Sequence, residues 1–200
     1  MYVARILYPV EVLGPGKRIG IWFCGCPRRC KGCSNPELWN FQERYKTTPE
    51  TVYKMIQDIA KNNIIDGFTV TGGEPMYQAD ELHILLDYLQ NISNDILVYT
   101  GYRIEDLNKE QLEGVSVLID GEYIENCNNN AILRGSDNQE IHILDDSLKK
   151  KYELYCENSI NQIQNFTTVY GMISVGIHKP NFIDDLNNNI LQKGIKEHYE

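Results

Sequence analysis

Ile19-Gly-Ile-Trp-Phe23-Cys24-Gly-Cys26-Pro-Arg-Arg-Cys30-Lys-Gly-Cys33 decides how the rest of the chain is read. The apolar run Ile19–Phe23 reads as a strand, and it leads straight into a loop that holds four of the six cysteines. Thiols crowded this way favour metal binding or redox chemistry over a disulfide framework in a chain of cytosolic character. Spacings of three and two residues between Cys26, Cys30 and Cys33 let a short loop wrap its thiolates around one face of a metal centre. A four-iron cubane held by three cysteines keeps one iron open, and an open position is where substrate binds. The alternatives are a zinc site, with Cys24 as fourth ligand, or reactive dithiols. Lys17, Arg18, Arg28, Arg29 and Lys31 surround the thiols, an arrangement expected to lower thiolate pKa values and offset cluster charge.

Upstream, Arg5–Val12 reads as a strand joined to Ile19–Phe23 by the turn Leu13-Gly14-Pro15-Gly16. Downstream, Thr48 offers an N-cap and Pro49 a first helical position, followed by Val52, Met55, Ile56 and Ile59 at helical spacing. Gly67–Thr71 reads as a strand ending in Gly72-Gly73-Glu74-Pro75. A helix from Asp80 with Leu82, Leu85, Leu86 and Leu89 follows, then a strand Ile96–Tyr99, a helix Ile104–Leu112 and a strand Val115–Ile119. Strands alternating with helices predict parallel βαβ units, and a barrel, complete or partial, or an open sheet fits them. After Asp120 the pattern weakens: Ile141–Leu144 reads as a strand, Ser147–Gln164 as a helical excursion, Val169–Ile177 as a strand and Ile183–Lys196 as a helix.

The bulk properties bound the function classes. Two hundred residues without an internal repeat or linker predict one domain over 1–200. A net charge of −9 argues against broad nucleic-acid binding, which needs a basic face. No stretch approaches the roughly 20 apolar residues of a membrane span, and the start shows no signal-peptide pattern. A cytoplasmic protein without nucleic-acid or membrane partners is the expectation.

Cys26-x-x-x-Cys30-x-x-Cys33 followed by a strand ending in Thr71-Gly72-Gly73-Glu74-Pro75 resembles the radical S-adenosylmethionine enzymes. Further along, Asn35-Pro36-Glu37-Leu38-Trp39, Thr100-Gly101-Tyr102, Leu118-Ile119-Asp120-Gly121 and Arg134-Gly135-Ser136-Asp137-Asn138-Gln139 occur in succession. The series resembles the activating proteins of anaerobic (class III) ribonucleoside-triphosphate reductases over about Tyr8 to Leu144. Gly32, where the superfamily often has an aromatic residue before the last cysteine, matches that subgroup. The resemblance implies an α/β fold, a shortened, open (partial) TIM-like βα barrel. It implies a 4Fe-4S cluster on Cys26, Cys30 and Cys33, with S-adenosyl-L-methionine chelating the open iron.

By the same resemblance, Gly72, Gly73 and Glu74 meet the methionine ammonium. An external flavodoxin- or ferredoxin-type donor reduces the cluster, S-adenosylmethionine is cleaved, and the resulting 5′-deoxyadenosyl radical takes a hydrogen atom from a glycine of the reductase. The chemistry is cofactor-borne, so no catalytic side chain is nominated. Gly32 and Ser34, with Asn35, neighbour the last ligand and are candidates for ligand or cluster contacts, with helix capping as the competing role for Ser34 and Asn35. Thr100 and Asp120, at carboxyl ends of strands, are candidates for ribose or methionine contacts, with strand-end capping as the alternative. Val175, Gly176 and Ile177 are weighed as adenine neighbours against plain core strand. Arg134–Gln139 is weighed as a partner contact against a hydrogen-bonded loop. Trp39 is weighed as a lid on the cysteine loop against core packing, and the four histidines read as structural or surface residues. Competing functions are activation of another glycyl-radical protein or peptide, and a zinc-binding or electron-transfer module.

Overall fold

The computed structural model describes residues 1–169, 171–182, 184–186 and 188. Its centre is a six-stranded sheet in sequence order, formed by β1 (Val3–Val10), β2 (Arg18–Phe23), β3 (Gly67–Gly72), β4 (Ile96–Tyr99), β5 (Val117–Asp120) and β6 (Glu140–Ile143). The middle four run parallel, while β1 and β6 join antiparallel at the two edges. No pairing among the described residues joins β1 to β6, so the sheet curves as an open, partial βα barrel in an α/β fold.

Alternation along the strands sorts side chains to two faces. Ile19, Ile21, Phe23, Phe68, Val70, Ile96, Val98 and Leu118 point to the face covered by α1 (Pro49–Ala60) and α2 (Ala79–Gln90). Thr48 caps α1 by accepting the Thr51 N–H, with Pro49 at the first position. Leu82, Leu85, Leu86 and Leu89 form the buried stripe of α2. The helix expected over Ile104–Leu112 is a 3-10 turn, Ile104–Asp106, and a four-residue α3, Lys109–Leu112. Asn108 starts α3 with a capping box to Gln111, which breaks the run in two.

The opposite, concave face carries Arg18, Trp22, Thr69, Leu97, Tyr99, Val117 and Ile119, and the segment after Leu144 covers it. That segment is α4 (Lys149–Asn158) followed by a hairpin of β7 (Gln164–Thr168) and β8 (Gly171–Val175). The expected helix to Gln164 is thus shorter, and the strand expected from Val169 begins at Gly171, because Gln164–Thr168 pairs with it across a turn. The Gln164 carboxamide donates to the Pro9 carbonyl at 2.7 Å and accepts the Glu11 N–H at 3.0 Å, pinning the hairpin beside β1. Apart from 184–186 and 188, the helix expected over Ile183–Lys196 lies outside the described residues.

At the amino-terminal end of the parallel strands the concave face is filled by a polar plug. Arg18 is fully buried, its Nε donating to Thr69 Oγ1 at 2.8 Å and its Nη2 to Asp95 Oδ1 at 3.0 Å. Tyr152 and Lys151 of α4 donate to the same carboxylate at 2.7 and 2.6 Å. Burial works against the charged Asp95, but Arg18, Lys151 and Tyr152 outweigh it and hold the carboxyl below its ordinary range.

Candidate active site

The parallel pairing of β2 and β3 creates the site. Phe23 is opposite Gly72, so the cysteine loop and the Gly-Gly-Glu-Pro loop leave neighbouring strands at the same end. Their backbones remain bonded past the strands: Gly73 N–H donates to the Phe23 carbonyl at 2.8 Å and Glu74 N–H to the Gly25 carbonyl at 2.9 Å. The glycines permit this approach. A Cβ on Gly73 would lie 2.5 Å from the Gly25 oxygen, and one on Gly72, at φ +104°, 2.6 Å from the Phe23 backbone.

The cysteine loop is stitched from its other side by Gly25 N–H to the Leu38 carbonyl and Cys26 N–H to the Trp39 carbonyl, both 2.8 Å. Cys26, Cys30 and Cys33 border one cleft together with Ser34, Asn35, Thr71–Glu74, Thr100 and Gly101. The cleft is a concave, half-open site rather than an enclosed cavity. Cys24 is buried outside it, with its thiol donating to the Asn40 carbonyl at 3.0 Å. Cys127 and Cys156 are also free thiols away from the cleft.

Glu74 is the buried charge of the cleft. It accepts the Thr100 hydroxyl at 2.7 Å, the Gly101 N–H at 2.8 Å and the Met76 N–H at 3.1 Å. Burial pushes its carboxyl up, against those donors and the Arg28 guanidinium, whose Nε lies 3.8 Å away. Arg28 also lies over the Tyr102 ring, 4.3 Å from its centroid.

The expected ring of cations around the thiols divides on inspection. Arg28 serves Glu74, Lys31 pairs with Glu125 at 3.1 Å, Arg29 bonds Asn40, and Arg18 sits in the plug. Cys30 is therefore pushed up to about 11 by burial and by Glu122, the opposite of the expected lowering.

Thr100 reaches the cleft and directs its hydroxyl to Glu74. Asp120 is turned away. Its buried carboxylate accepts the Ile104 N–H at 2.8 Å and the Glu140 N–H at 3.2 Å, beside His142 and Arg103, which is the strand-end capping role. Gly32, at φ +74°, faces the Glu125 side chain and not the cleft. Arg134–Gln139 folds on itself and braces the chain after β5. Gln139 Oε1 accepts the Gly135 N–H at 2.8 Å, its Nε2 donates to the Gly121 carbonyl at 2.8 Å, and Ser136 Oγ accepts the Ile124 N–H at 3.1 Å. Gly135 and Gln139 reach the cleft wall, which Ser174–His178 completes.

His178, which reads from sequence as a structural or surface residue, lines the cleft with a buried Nε2 that has no partner. Its position just beyond an apolar strand is the signal that could have found it. Trp39 Nε1 is likewise buried at the cleft without a hydrogen-bond partner, and Arg28 Nε has only its long ion-pair contact to Glu74. Buried polar atoms left without hydrogen bonds around one cavity mark a place built for a polar guest. Among the described residues no three His, Cys, Asp or Glu side chains converge as a single ion requires. Three thiols bordering one cleft are a donor set chemically suited to an iron–sulfur group.

A family model described as a 4Fe-4S single cluster domain matches residues 12–142. The anaerobic ribonucleoside-triphosphate reductase-activating protein of Enterobacteria phage T4 is 36% identical over 141 residues, covering 68% of this chain and 90% of that protein. The protein of the same name from Salmonella typhi is 34% identical over 148 residues, covering 68% and 96%. Among solved structures, QueE from Escherichia coli is similar with a TM-score of 0.42 at 17% identity, covering 57% of this chain and 68% of that one.

Proposed function

The chain belongs to the family of anaerobic ribonucleoside-triphosphate reductase-activating proteins, with a 4Fe-4S single cluster domain, and from that premise we propose that it is a cytoplasmic activase working as one domain. It cleaves S-adenosylmethionine reductively and installs a glycyl radical on an anaerobic ribonucleoside-triphosphate reductase, using electrons from a flavodoxin- or ferredoxin-type donor. The observation that carries this reading is the bonding of Glu74 N–H to Gly25, which sets a buried carboxylate beside three thiols in one cleft.

Cys26, Cys30 and Cys33 would hold the cluster and leave one iron to the ligand. When bound, the cluster supplies the electron that breaks a carbon–sulfur bond of S-adenosylmethionine. Glu74 binds the ligand's ammonium; Thr100, Gly101 and Met76 fix the carboxylate's direction, and burial strengthens its attraction for a cation. Gly72 and Gly73 keep side chains out of the space the ligand needs. Ser174–His178 and the Gly121–Gln139 brace wall the cleft on the far side, where the nucleoside is held away from bulk water.

The test is anaerobic reconstitution with iron and sulfide, dithionite reduction and quantification of 5′-deoxyadenosine, with Cys30→Ala as control. Radical transfer is read by electron paramagnetic resonance of an anaerobic reductase mixed with the activase. Absence of 5′-deoxyadenosine from a chain carrying a full cluster would refute the proposal.

A further inference from the structure

Trp39 is fixed by its backbone and unsatisfied in its side chain. Its carbonyl accepts the Cys26 N–H at 2.8 Å, its N–H donates to the Pro36 carbonyl at 3.2 Å, and the preceding Leu38 is fully buried. The indole borders the cleft with Cys26, Cys30 and Cys33, and its Nε1 is buried with no hydrogen-bond partner. An unmade bond from a buried N–H is costly, so simple packing would be better served by Phe or Leu. An indole N–H is a donor only, so whatever completes it must be an acceptor.

Sulfur is one acceptor on this wall. Asn35 N–H already points at Cys33 Sγ, 3.4 Å away. The Trp39 indole borders the same cleft as that sulfur, and its buried Nε1–H is a donor still without a hydrogen-bond partner. We propose that Trp39 Nε1–H donates a hydrogen bond to the sulfur shell of the cluster at Cys33 and thereby raises the cluster's reduction potential. Reduction adds negative charge to the cluster, and an N–H dipole aimed at its sulfur stabilises the more negative state. Trp39 is in this sense a positioning and tuning residue. The inference rests on the cluster reading above and adds what sets the electron's energy.

The experiment compares wild type with Trp39→Phe and with a chain carrying β-(3-benzothienyl)alanine at position 39, which keeps the bicyclic shape and lacks the N–H. Iron and sulfide are counted first, and a wild-type protein without a 4Fe-4S cluster would sink the cluster reading itself. Midpoint potentials are then measured by redox titration under electron paramagnetic resonance, without S-adenosylmethionine. The expected result is a shift to more negative potential in both altered chains, with loss of one exchangeable-proton coupling in pulsed spectra. An unchanged potential in a loaded variant would overturn the inference; if S-adenosylmethionine binding weakened instead, the indole serves the ligand. A benzothienyl chain that folds but loads no cluster would also overturn it, because the indole would then serve loop assembly.

Discussion

Replacing Asp95 with asparagine should destabilise the fold by about 3–5 kcal/mol at neutral pH, the usual cost of leaving a buried ion without its partner. The size follows from which partners can escape. Lys151 is 38% exposed and can turn to water, so its share is at most about 1 kcal/mol. Arg18 has no exposure and stays where it is, with its charge uncompensated beneath the sheet. Asparagine preserves the shape and one acceptor, so the loss reports charge more than volume.

The pH dependence carries a definite sign. Asp95 is held below its ordinary value of 3.8, so its contribution is complete above that value and fades as pH falls through the lowered one. Wild type and variant should therefore differ most near neutrality and converge in acid. Equilibrium urea unfolding followed by circular dichroism, on cluster-free chains at several pH values, measures both quantities. A difference below about 1 kcal/mol, or one that does not shrink in acid, would refute the account of the plug. A double replacement, Arg18→Met with Asp95→Leu, should cost less than the two single changes added together, because it removes both charges at once.

Other outcomes follow from the cleft. Thr100→Val removes the hydroxyl donor to Glu74 and should weaken S-adenosylmethionine binding roughly 5- to 30-fold, about 1–2 kcal/mol, with iron content unchanged; calorimetry on the reconstituted protein reads this. Gly73→Ala drives a methyl group against the Gly25 carbonyl and should separate the two loops, reducing iron bound per chain well below the wild-type ratio. Cys24→Ala should retain the full iron complement while Cys26→Ala does not, as iron analysis after reconstitution will show; equal losses would make Cys24 a ligand. His178 is held below its ordinary value of 6.5 by burial, so its contribution is present above that pH and lost as pH falls. His178→Phe should accordingly flatten the stability profile between about pH 5 and 7.

The parallel core is legible in sequence because β2 to β5 are short apolar runs with glycine-rich exits, and two of those exits carry the diagnostic motifs. The juxtaposition of thiols and Glu74 follows from strand adjacency, which motif order already implies. The plug is not legible. In sequence Arg18 looks like one more cation near the cysteines, while its partner Asp95 is 77 residues away. Asp120 is ambiguous for a related reason, since a strand-end carboxylate serves a ligand or the backbone equally well, and only the amides of Ile104 and Glu140 decide it. The first strand of the hairpin is hidden because Gln164–Thr168 is polar on its outward side and continues a helical stretch without a strong break.

β2 begins at Arg18 in the plug and ends at Phe23, where the thiol loop starts. One strand thus ties the element that holds the barrel together to the element that does the chemistry, with roughly 16 Å of stiff, doubly covered backbone between them. Loops at the working end can exchange residues without touching what keeps the sheet standing, which leaves them room to drift toward new protein targets under selection.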